Sequence, residues 1–430
     1  MLRGTGAATR RSSLEVTCIP HGGSRSEAPR RTDRTRRASR ASTGSDRIAR
    51  PGRAEPGGRR EREVSAQGAV FPRRRARARR PGGLVARVLA GAWRAVPPPP
   101  DFTVDELEAA APLLHKSGAG ALTWWRVRGT ALAGTPIGEG FHDAYRLHTL
   151  EAEVHALRTA EVMRRLEAAG VETLLVKGWA MARQYPEVGL RPYTDLDLIV
   201  RPGALAAARA ALTAHPAPGY PVDLHDGPAR LGAPDFDDLA RRAVPGSVAG
   251  VDVRTPGAED HLGILALHAL RHGVFRPIWL VDLAVAVEGR PPGFDWPPCL
   301  GPDPRRADWI RSTLALAHRL LGARVEGTPA AARARGLPRW LLRAVLRTWD
   351  HCEGTSHREP VVQALRARLG SPAALWKEAR LRWDRPIQAT LDVHGAFNGL
   401  PRWPFQVAAV ARRAPAIGRA LREAVSARAR

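Results

Sequence analysis

The chain has 430 residues, of which 44% are hydrophobic, and its formal net charge is +25. That length leaves room for two domains, or for one domain with a long appendage. No apolar run approaches the ~20 residues that a membrane-spanning helix needs, so no membrane span is predicted. The three cysteines, at 18, 299 and 352, suit neither a disulfide framework nor a cysteine-based zinc site. This usage favours a reducing compartment, and we therefore expect a cytoplasmic protein.

The N-terminal segment is the most basic part of the chain. Residues 1–80 hold 22 arginines and 7 acidic residues and carry +15 of the net charge. Since they lack periodic apolar residues, residues 1–83 are predicted to be a disordered Arg-rich tail. The arginine run at 73–80 would attract phosphates without sequence preference, so non-specific nucleic-acid contact is one interpretation. A solvated tail, or an over-extended start, is the interpretation that the composition favours.

A helical region is predicted for residues 84–169. Residues 84–96 form a short apolar segment that ends before four prolines, and 104–115 have an acidic first turn, which the helix dipole favours. Residues 141–169 repeat apolar side chains at close to helical spacing. Gly170 follows, as expected for a left-handed helix cap.

The next stretch, 174–200, carries the first chemical signal. A strand over 171–176 leads into the turn Lys177-Gly178, and a second strand is predicted over 194–200. A strand turns successive side chains to opposite faces, so Asp195 and Asp197 project from one side of it. Two such acids repel each other unless a cation lies between them, and a divalent metal ion is the usual cation.

Further along, Asp223 lies in the next predicted strand, 222–225, after a predicted helix over 204–215. A third carboxylate on a neighbouring strand could complete a two-metal site for phosphoryl or nucleotidyl transfer. Lys177 is one of only three lysines, and its place at the turn favours a phosphate contact.

The C-terminal half is predicted to be mostly helical, after one more strand over 247–255. His268 and His272 lie four residues apart in a helix over 259–273, which suits either a metal pair or a packed, substrate-facing pair. The apolar helix over 277–288 must be buried, so Asp282 within it needs a partner.

Three groups of residues together resemble a family of uncharacterised nucleotidyltransferases of the DNA polymerase beta-like superfold. The first group includes Lys177-Gly178, Tyr185 and Arg191; the second is the Asp-Leu-Asp of 195–197, and the third the Asp-Leu-His of 223–225. The segment 267–283 adds a histidine-rich helix that runs into an apolar one. The resemblance covers roughly residues 100 to 400, with specific motifs only between 174 and 283.

The resemblance implies an α/β (α+β) fold: a small mixed sheet with N-terminal helices and a helical C-terminal half. It divides the chain into the tail, helices over 84–169, a nucleotidyltransferase core over 170–258 and helices over 259–430. Asp195, Asp197 and Asp223 would be the catalytic metal ligands, for Mg²⁺ or Mn²⁺. The nucleoside triphosphate would contact Lys177, Gly178 and Arg191, and the candidate substrate-facing residues are Tyr185, His225, His268 and His272.

One departure concerns the turn. The superfold usually follows its turn glycine with Gly or Ser, whereas this chain has Trp179. That change removes one phosphate contact, which Lys177 and Arg191 could supply instead.

The predicted activity is metal-dependent transfer of a nucleoside monophosphate to an acceptor hydroxyl. The acceptor is open among a small molecule, a peptide, a protein and an RNA, and modification of a peptide or natural product is one setting. The alternatives are a non-catalytic accessory protein on the same fold and a toxin-type nucleotidyltransferase. A non-catalytic binding protein has no need to keep three repelling acids together, which favours the enzyme.

The composition of the tail predicts that the N-terminal 80 residues are dispensable for folding. A chain truncated to begin near Pro81 should keep the melting temperature and circular dichroism spectrum of the full chain. A melting temperature lower by more than a few degrees would show that the tail is docked.

Overall fold

Helices surround two small sheets in this protein. The structure is a computed structural model that describes residues 80–213, 221–232, 235–351 and 385–426, together with 371, 373, 374, 376 and 383. Residues 1–79 of the predicted tail lie outside these ranges. The described residues all belong to one compact unit.

Four helices precede the first strand: α1 (Pro81–Leu89), α2 (Val104–Lys116), α3 (Gly120–Val127) and α4 (Pro136–Ala168). Helix α1 begins earlier and ends sooner than the predicted 84–96. Pro81 presets the backbone at its first turn, and extended Ala90 followed by Gly91 at φ 69° stops it. Helix α4 ends before Gly170, whose φ of 66° confirms the predicted left-handed cap.

The central sheet has three strands in the order β1 (Thr173–Val176), β2 (Leu196–Val200) and β3 (Val222–Asp226). Strands β1 and β2 are antiparallel, and β2 and β3 are parallel, so the sheet is mixed, as predicted. Helix α5 (Gly178–Ala182) follows β1, and α6 (Leu205–Thr213) connects β2 to β3. The register sets Val176 and Asp223 on either side of Asp197.

Both faces of this sheet are covered. On one face Leu175, Leu196 and Leu198 pack with residues of α4. On the other face Val176 and Ile199 pack with residues that follow β3 and with Ile264. Because side chains alternate along β2, Asp197 shares its face with Ile199, so a buried acid points to the side where Ile264 lies.

The predicted single strand over 247–255 was wrong. The structure has a hairpin of β4 (Val244–Val248) and β5 (Val251–Thr255), which pair antiparallel after helix α7 (Phe236–Arg241). Ala249 and Gly250 both have positive φ, at 45° and 78°, which is the backbone of a tight two-residue hairpin turn.

The C-terminal half is helical over the residues that the structure describes. Its helices are α8 (Ala258–Arg271), α9 (Pro277–Glu288), α10 (Trp296–Leu300), α11 (Pro304–Leu321), α12 (Ala330–Arg335), α13 (Arg339–His351), α14 (Pro386–Asp392) and α15 (Trp403–Ser426). One hydrophobic core joins α1 to α3 with α8, α9, α11 and α13. Within the described ranges, no helix is both long and apolar enough to cross a membrane. The predicted domain boundaries stay a prediction.

Candidate functional site

The turn after β1 has an unusual backbone. Lys177 lies at φ 55° and ψ −122°, a region that residues other than glycine rarely adopt. Its N–H donates to Nε2 of His261 on α8, over 3.2 Å. Burial lowers the pKa of His261 to about 4, so the ring is neutral and Nε2 can accept. Helix α8 thereby holds the turn that presents Lys177.

The Lys177 ammonium forms an ion pair with Oδ1 of Asp197 on β2. Both side chains are buried, with the two residues 7% and 5% exposed. Burial alone would raise the pKa of Asp197. The hydrogen bond from His225 and the charge of Lys177 outweigh burial and lower that pKa instead, so Asp197 is ionised.

Asp197, Asp223 and His225 come together across β2 and β3. His225 Nε2 lies 3.4 Å from Asp197 Oδ1 and 3.4 Å from Asp223 Oδ2. One ligand atom from each residue lies within 4.8 Å of the other two, as a metal site requires. Asp223 is half exposed, since 55% of its side chain is accessible. His225, expected only to face substrate, thus lies among the predicted metal ligands.

Asp195 lies just before β2, is exposed within the lining of a cavity, and is outside the group formed by Asp197, Asp223 and His225. Loss of hydration in the cavity raises the pKa of its carboxyl, and the neighbouring charge of Asp197 raises it further. Asp195 and Asp197 therefore repel each other, as the sequence pattern predicted. The structure brings two of the three predicted metal ligands together and places the third beside them.

The cavity measures about 500 Å³, within the range of small-molecule sites. Its floor holds Lys177, Gly178, Asp195 and Asp197. One wall comes from α2 and α4 and includes His115, Lys116 and His148. The opposite wall comes from α8 and α9 and includes His268, His272, Phe275, Arg276 and Trp279. The cavity thus joins the ion pair and Asp195 to walls rich in histidine and other aromatic rings, whereas Asp223 and His225 are not among its lining residues.

Arg191 and Asp282 form a buried ion pair in the wall of this cavity. Nε of Arg191 donates to Oδ1 of Asp282 over 3.1 Å, and Nη2 donates to Oδ2 over 2.8 Å. The hydroxyl of Tyr185 donates to the same Oδ1 over 2.7 Å. The partner that Asp282 was predicted to need is therefore found. Arg191 and Asp282 line the cavity, whereas Tyr185 is not among its lining residues. The predicted nucleotide contact of Arg191 and the predicted substrate-facing role of Tyr185 stay predictions.

His268 on α8 and His272, the residue directly after this helix, lie side by side with ring centroids 4.6 Å apart. Both rings contact Trp279, at 4.9 Å and 5.4 Å. Burial lowers the pKa of both histidines, and the charge of Lys177 lowers it further, so both rings are neutral. Their packing on Trp279 and their place in the cavity fit the substrate-facing interpretation, which stays a prediction.

Sequence reasoning missed His261. Residues 261, 268 and 272 recur at seven and four along α8, so all three fall on one helix face. That spacing is the sequence pattern from which His261 could have been identified. The contact with the Lys177 backbone depends on how α8 crosses the sheet, which no local pattern contains.

The chain matches the family described as "Uncharacterised nucleotidyltransferase" over residues 106–220 and 215–322. It belongs to this family. The matched residues contain the three strands of the central sheet and every group named above in the cavity. Among curated proteins no match is found.

Among solved structures, the chain is similar to an antigenic nucleotidyltransferase-like protein from Paracoccidioides brasiliensis. The two are 14% identical with a TM-score of 0.30, and the match covers 41% of this chain and 93% of the other.

The buried ion pair of Arg191 gives a stability prediction. Arg191→Met should lower the free energy of unfolding by about 3–5 kcal/mol, because it leaves Asp282 charged, buried and without its counter-ion. The control is Arg201→Met, whose partly exposed pairs with Glu172 and Asp237 should contribute less than about 1 kcal/mol. Urea unfolding measures both. Equal losses would mean that Arg191 is not held by Asp282.

The backbone of Lys177 gives a second prediction, from a matched pair of variants. Lys177→Gly and Lys177→Ala both remove the ammonium from Asp197, but only glycine relieves the positive φ. Lys177→Gly should therefore be more stable than Lys177→Ala by about 1 kcal/mol or more. Thermal unfolding measures the difference. An alanine variant as stable as the glycine variant would contradict the strained turn.

Proposed function

We propose that this chain transfers a nucleoside monophosphate from a nucleoside triphosphate to an acceptor hydroxyl, with Mg²⁺ or Mn²⁺ as the cofactor. The observation that carries the proposal is the meeting of Asp197 and Asp223 on adjacent parallel strands, with Asp195 and Lys177 at the floor of the cavity. Membership of a nucleotidyltransferase family supports the same reaction class.

The residues present fit a divalent cation. Asp197, Asp223 and His225 offer two carboxylates and one imidazole within 4.8 Å of one another, and Asp195 adds a carboxylate beside them. Carboxylate oxygens suit Mg²⁺ and Mn²⁺, and an imidazole nitrogen favours Mn²⁺. When bound, the metal would neutralise the triphosphate and the charge that develops on it during transfer.

In this proposal Lys177 can pair with two anions, Asp197 and the triphosphate. Its ammonium now neutralises Asp197, and it lines the cavity that the triphosphate would enter. With Asp197 holding the cation, the Lys177 ammonium would be available to pair with the phosphates. An ammonium is a point charge on a flexible stem, so this exchange needs no change in the backbone.

The transfer forms one bond and breaks another. The acceptor oxygen bonds to the α-phosphorus, and the bond from that phosphorus to the bridging oxygen of the pyrophosphate breaks. Asp223 takes the proton of the acceptor hydroxyl, a role that suits a half-exposed carboxylate at the edge of the site. His225 lies 3.4 Å from Asp223 Oδ2 and orients that carboxylate.

The proposal also includes a cytoplasmic location and a contact between the N-terminal tail and nucleic acid. The cytoplasmic location draws support from Cys299, which is buried and free. Non-specific contact of the arginine-rich tail with nucleic acid follows from its charge of +15 over residues 1–80.

The experiment is metal-dependent nucleotide binding, measured by calorimetry on the wild type and on single variants. Asp197→Asn and Asp195→Asn should both weaken Mg²⁺-dependent binding of the triphosphate. Asp195→Asn should leave the metal-free protein as stable as before or slightly more so, because the raised pKa of Asp195 shows that its charge is unfavourable there. Asp223→Asn keeps an amide oxygen as a ligand beside Asp195, Asp197 and His225, so it should still bind metal and nucleotide, but it should lose nearly all transfer because an amide cannot take the proton.

The control is Asp252→Asn, an exposed aspartate on β5 that lines neither the cavity nor the metal group. It should behave as the wild type does. If no variant, the wild type included, binds nucleotide in a metal-dependent way, the chain is a non-catalytic accessory protein.

A further inference from the structure

A second cavity of about 500 Å³ lies close to the first. Helices α13 and α14 and the start of α15 form its walls. Gly273 also lines it, whereas His272 and Phe275, on either side of Gly273 in the chain, line the first cavity. The turn between α8 and α9 therefore separates the two cavities, so ligands in the two cavities would lie on either side of this turn.

The second cavity is strongly cationic. Its lining contains Arg343, Arg347, Arg385 and Arg402 and no acidic residue. Arg343 and Arg347 lie one turn apart on α13, both exposed, and neither forms an ion pair with any residue in the described part of the chain. Their charges add to a field that attracts anions.

Arg402 adds a buried positive charge. It is 7% exposed and donates to the carbonyls of Leu400 and Ala396, over 2.9 and 3.0 Å, and to Oδ1 of Asn398. All three acceptors are neutral. A buried charge without a counter-ion is unfavourable. An anion bound in this cavity would supply the counter-ion that the described residues do not give Arg402.

Two more features of the cavity indicate which other chemical groups the ligand contains. Trp340 and Trp403 line the cavity. Arg402 lies over the ring of Trp340, whereas Trp403 is 65% exposed, so the ring of Trp403 is open to a ligand. Gln388 also belongs to the lining, and its Oε1 is buried without a hydrogen-bond donor among the residues that the structure describes. A buried acceptor of this kind needs an N–H or O–H group from a ligand.

We propose that the second cavity binds single-stranded nucleic acid. Phosphates would pair with Arg343 and Arg347, bases would stack on Trp403, and a base amino group or sugar hydroxyl would donate to Gln388. Arginines beside exposed aromatic rings are the chemistry that holds single strands. An acidic peptide would satisfy the arginines but has no flat base to stack on the tryptophans.

The position of this cavity also indicates that the acceptor is the end of the nucleic-acid strand, an inference that rests on the proposed function. A strand held there would pass the exposed side of the turn between α8 and α9, at His272 and Arg276, and its terminal hydroxyl would enter the first cavity. That hydroxyl oxygen would then bond to the α-phosphorus, pyrophosphate would leave, and the proton would pass to Asp223.

The test measures binding of a fluorescent 12-nucleotide single-stranded RNA to the full chain by anisotropy, with EDTA and without nucleoside triphosphate. Arg343→Gln/Arg347→Gln should raise Kd roughly tenfold at ~0.1 M salt. The salt dependence should become shallower by about 1.4 in log–log slope, at about 0.7 per lost phosphate contact. Trp403→Ala should weaken binding by a similar factor, since one stacked base is lost.

The matched control is Arg324→Gln/Arg335→Gln, which removes the same charge from two exposed arginines outside both cavities. It should change Kd less than twofold. Photo-crosslinking with 4-thiouridine RNA should label peptides that contain Trp340 or Trp403. Crosslinks confined to residues 1–80, equal losses in both double variants, or equal displacement of the RNA by a 12-residue poly-glutamate would each overturn the proposal.

The binding assay contains neither metal nor nucleotide, so its result does not depend on transfer. Asp223→Asn should bind the RNA as the wild type does. RNA binding without any transfer would count against the proposed function alone, and transfer to another acceptor without RNA binding would count against this inference alone.

Discussion

The buried ion pair between Lys177 and Asp197 is the interaction on which the site depends. Lys177 lies in the turn after β1 and Asp197 lies on β2, and each is nearly excluded from water. Neither charge could remain buried alone, because an unpaired buried ion is strongly unfavourable. The register of β1 against β2 sets Val176 opposite Asp197, so the residue after β1 is the one that reaches it. The antiparallel pairing thereby determines which lysine neutralises the acid.

The surrounding helices keep that pair in place. His261 on α8 accepts from the backbone of Lys177, and Asp282 on α9 accepts from Arg191 and Tyr185. The two helices therefore hold the two ends of the segment between β1 and β2. Because α8 and α9 also share a core with α1 to α3, the wall of the cavity is part of the main hydrophobic core. A rigid wall favours the fixed geometry that phosphoryl-group transfer requires.

Local patterns predicted most of the elements. The strands β1, β2 and β3, the long helix α4 and the apolar helix α9 all follow from side-chain periodicity and from punctuation by glycine and proline. The burial of α9 also predicted a partner for Asp282. These features depend on a few neighbouring residues, which a sequence shows directly.

Contacts between distant segments could not be predicted in the same way. That Arg191 is the partner of Asp282, and that His225 joins Asp197 and Asp223, depends on crossing angles and strand order. The hairpin at Ala249-Gly250 was missed because alanine seldom adopts positive φ, so the pair does not signal a turn. The second cavity could not be predicted from the sequence, because its arginines come from segments far apart in the chain. Each of them alone is typical of a solvent-exposed helix face.

The most direct measurement of the central claim follows the label of a nucleoside triphosphate. The chain would be incubated with Mg²⁺ or Mn²⁺ and candidate acceptors, once with α-labelled and once with γ-labelled nucleotide. Nucleotidyl transfer predicts that the α-label enters the acceptor, that the γ-label leaves in pyrophosphate, and that Asp223→Asn abolishes both. Entry of the γ-label into the acceptor, or α-label transfer that persists in Asp223→Asn, would contradict the account.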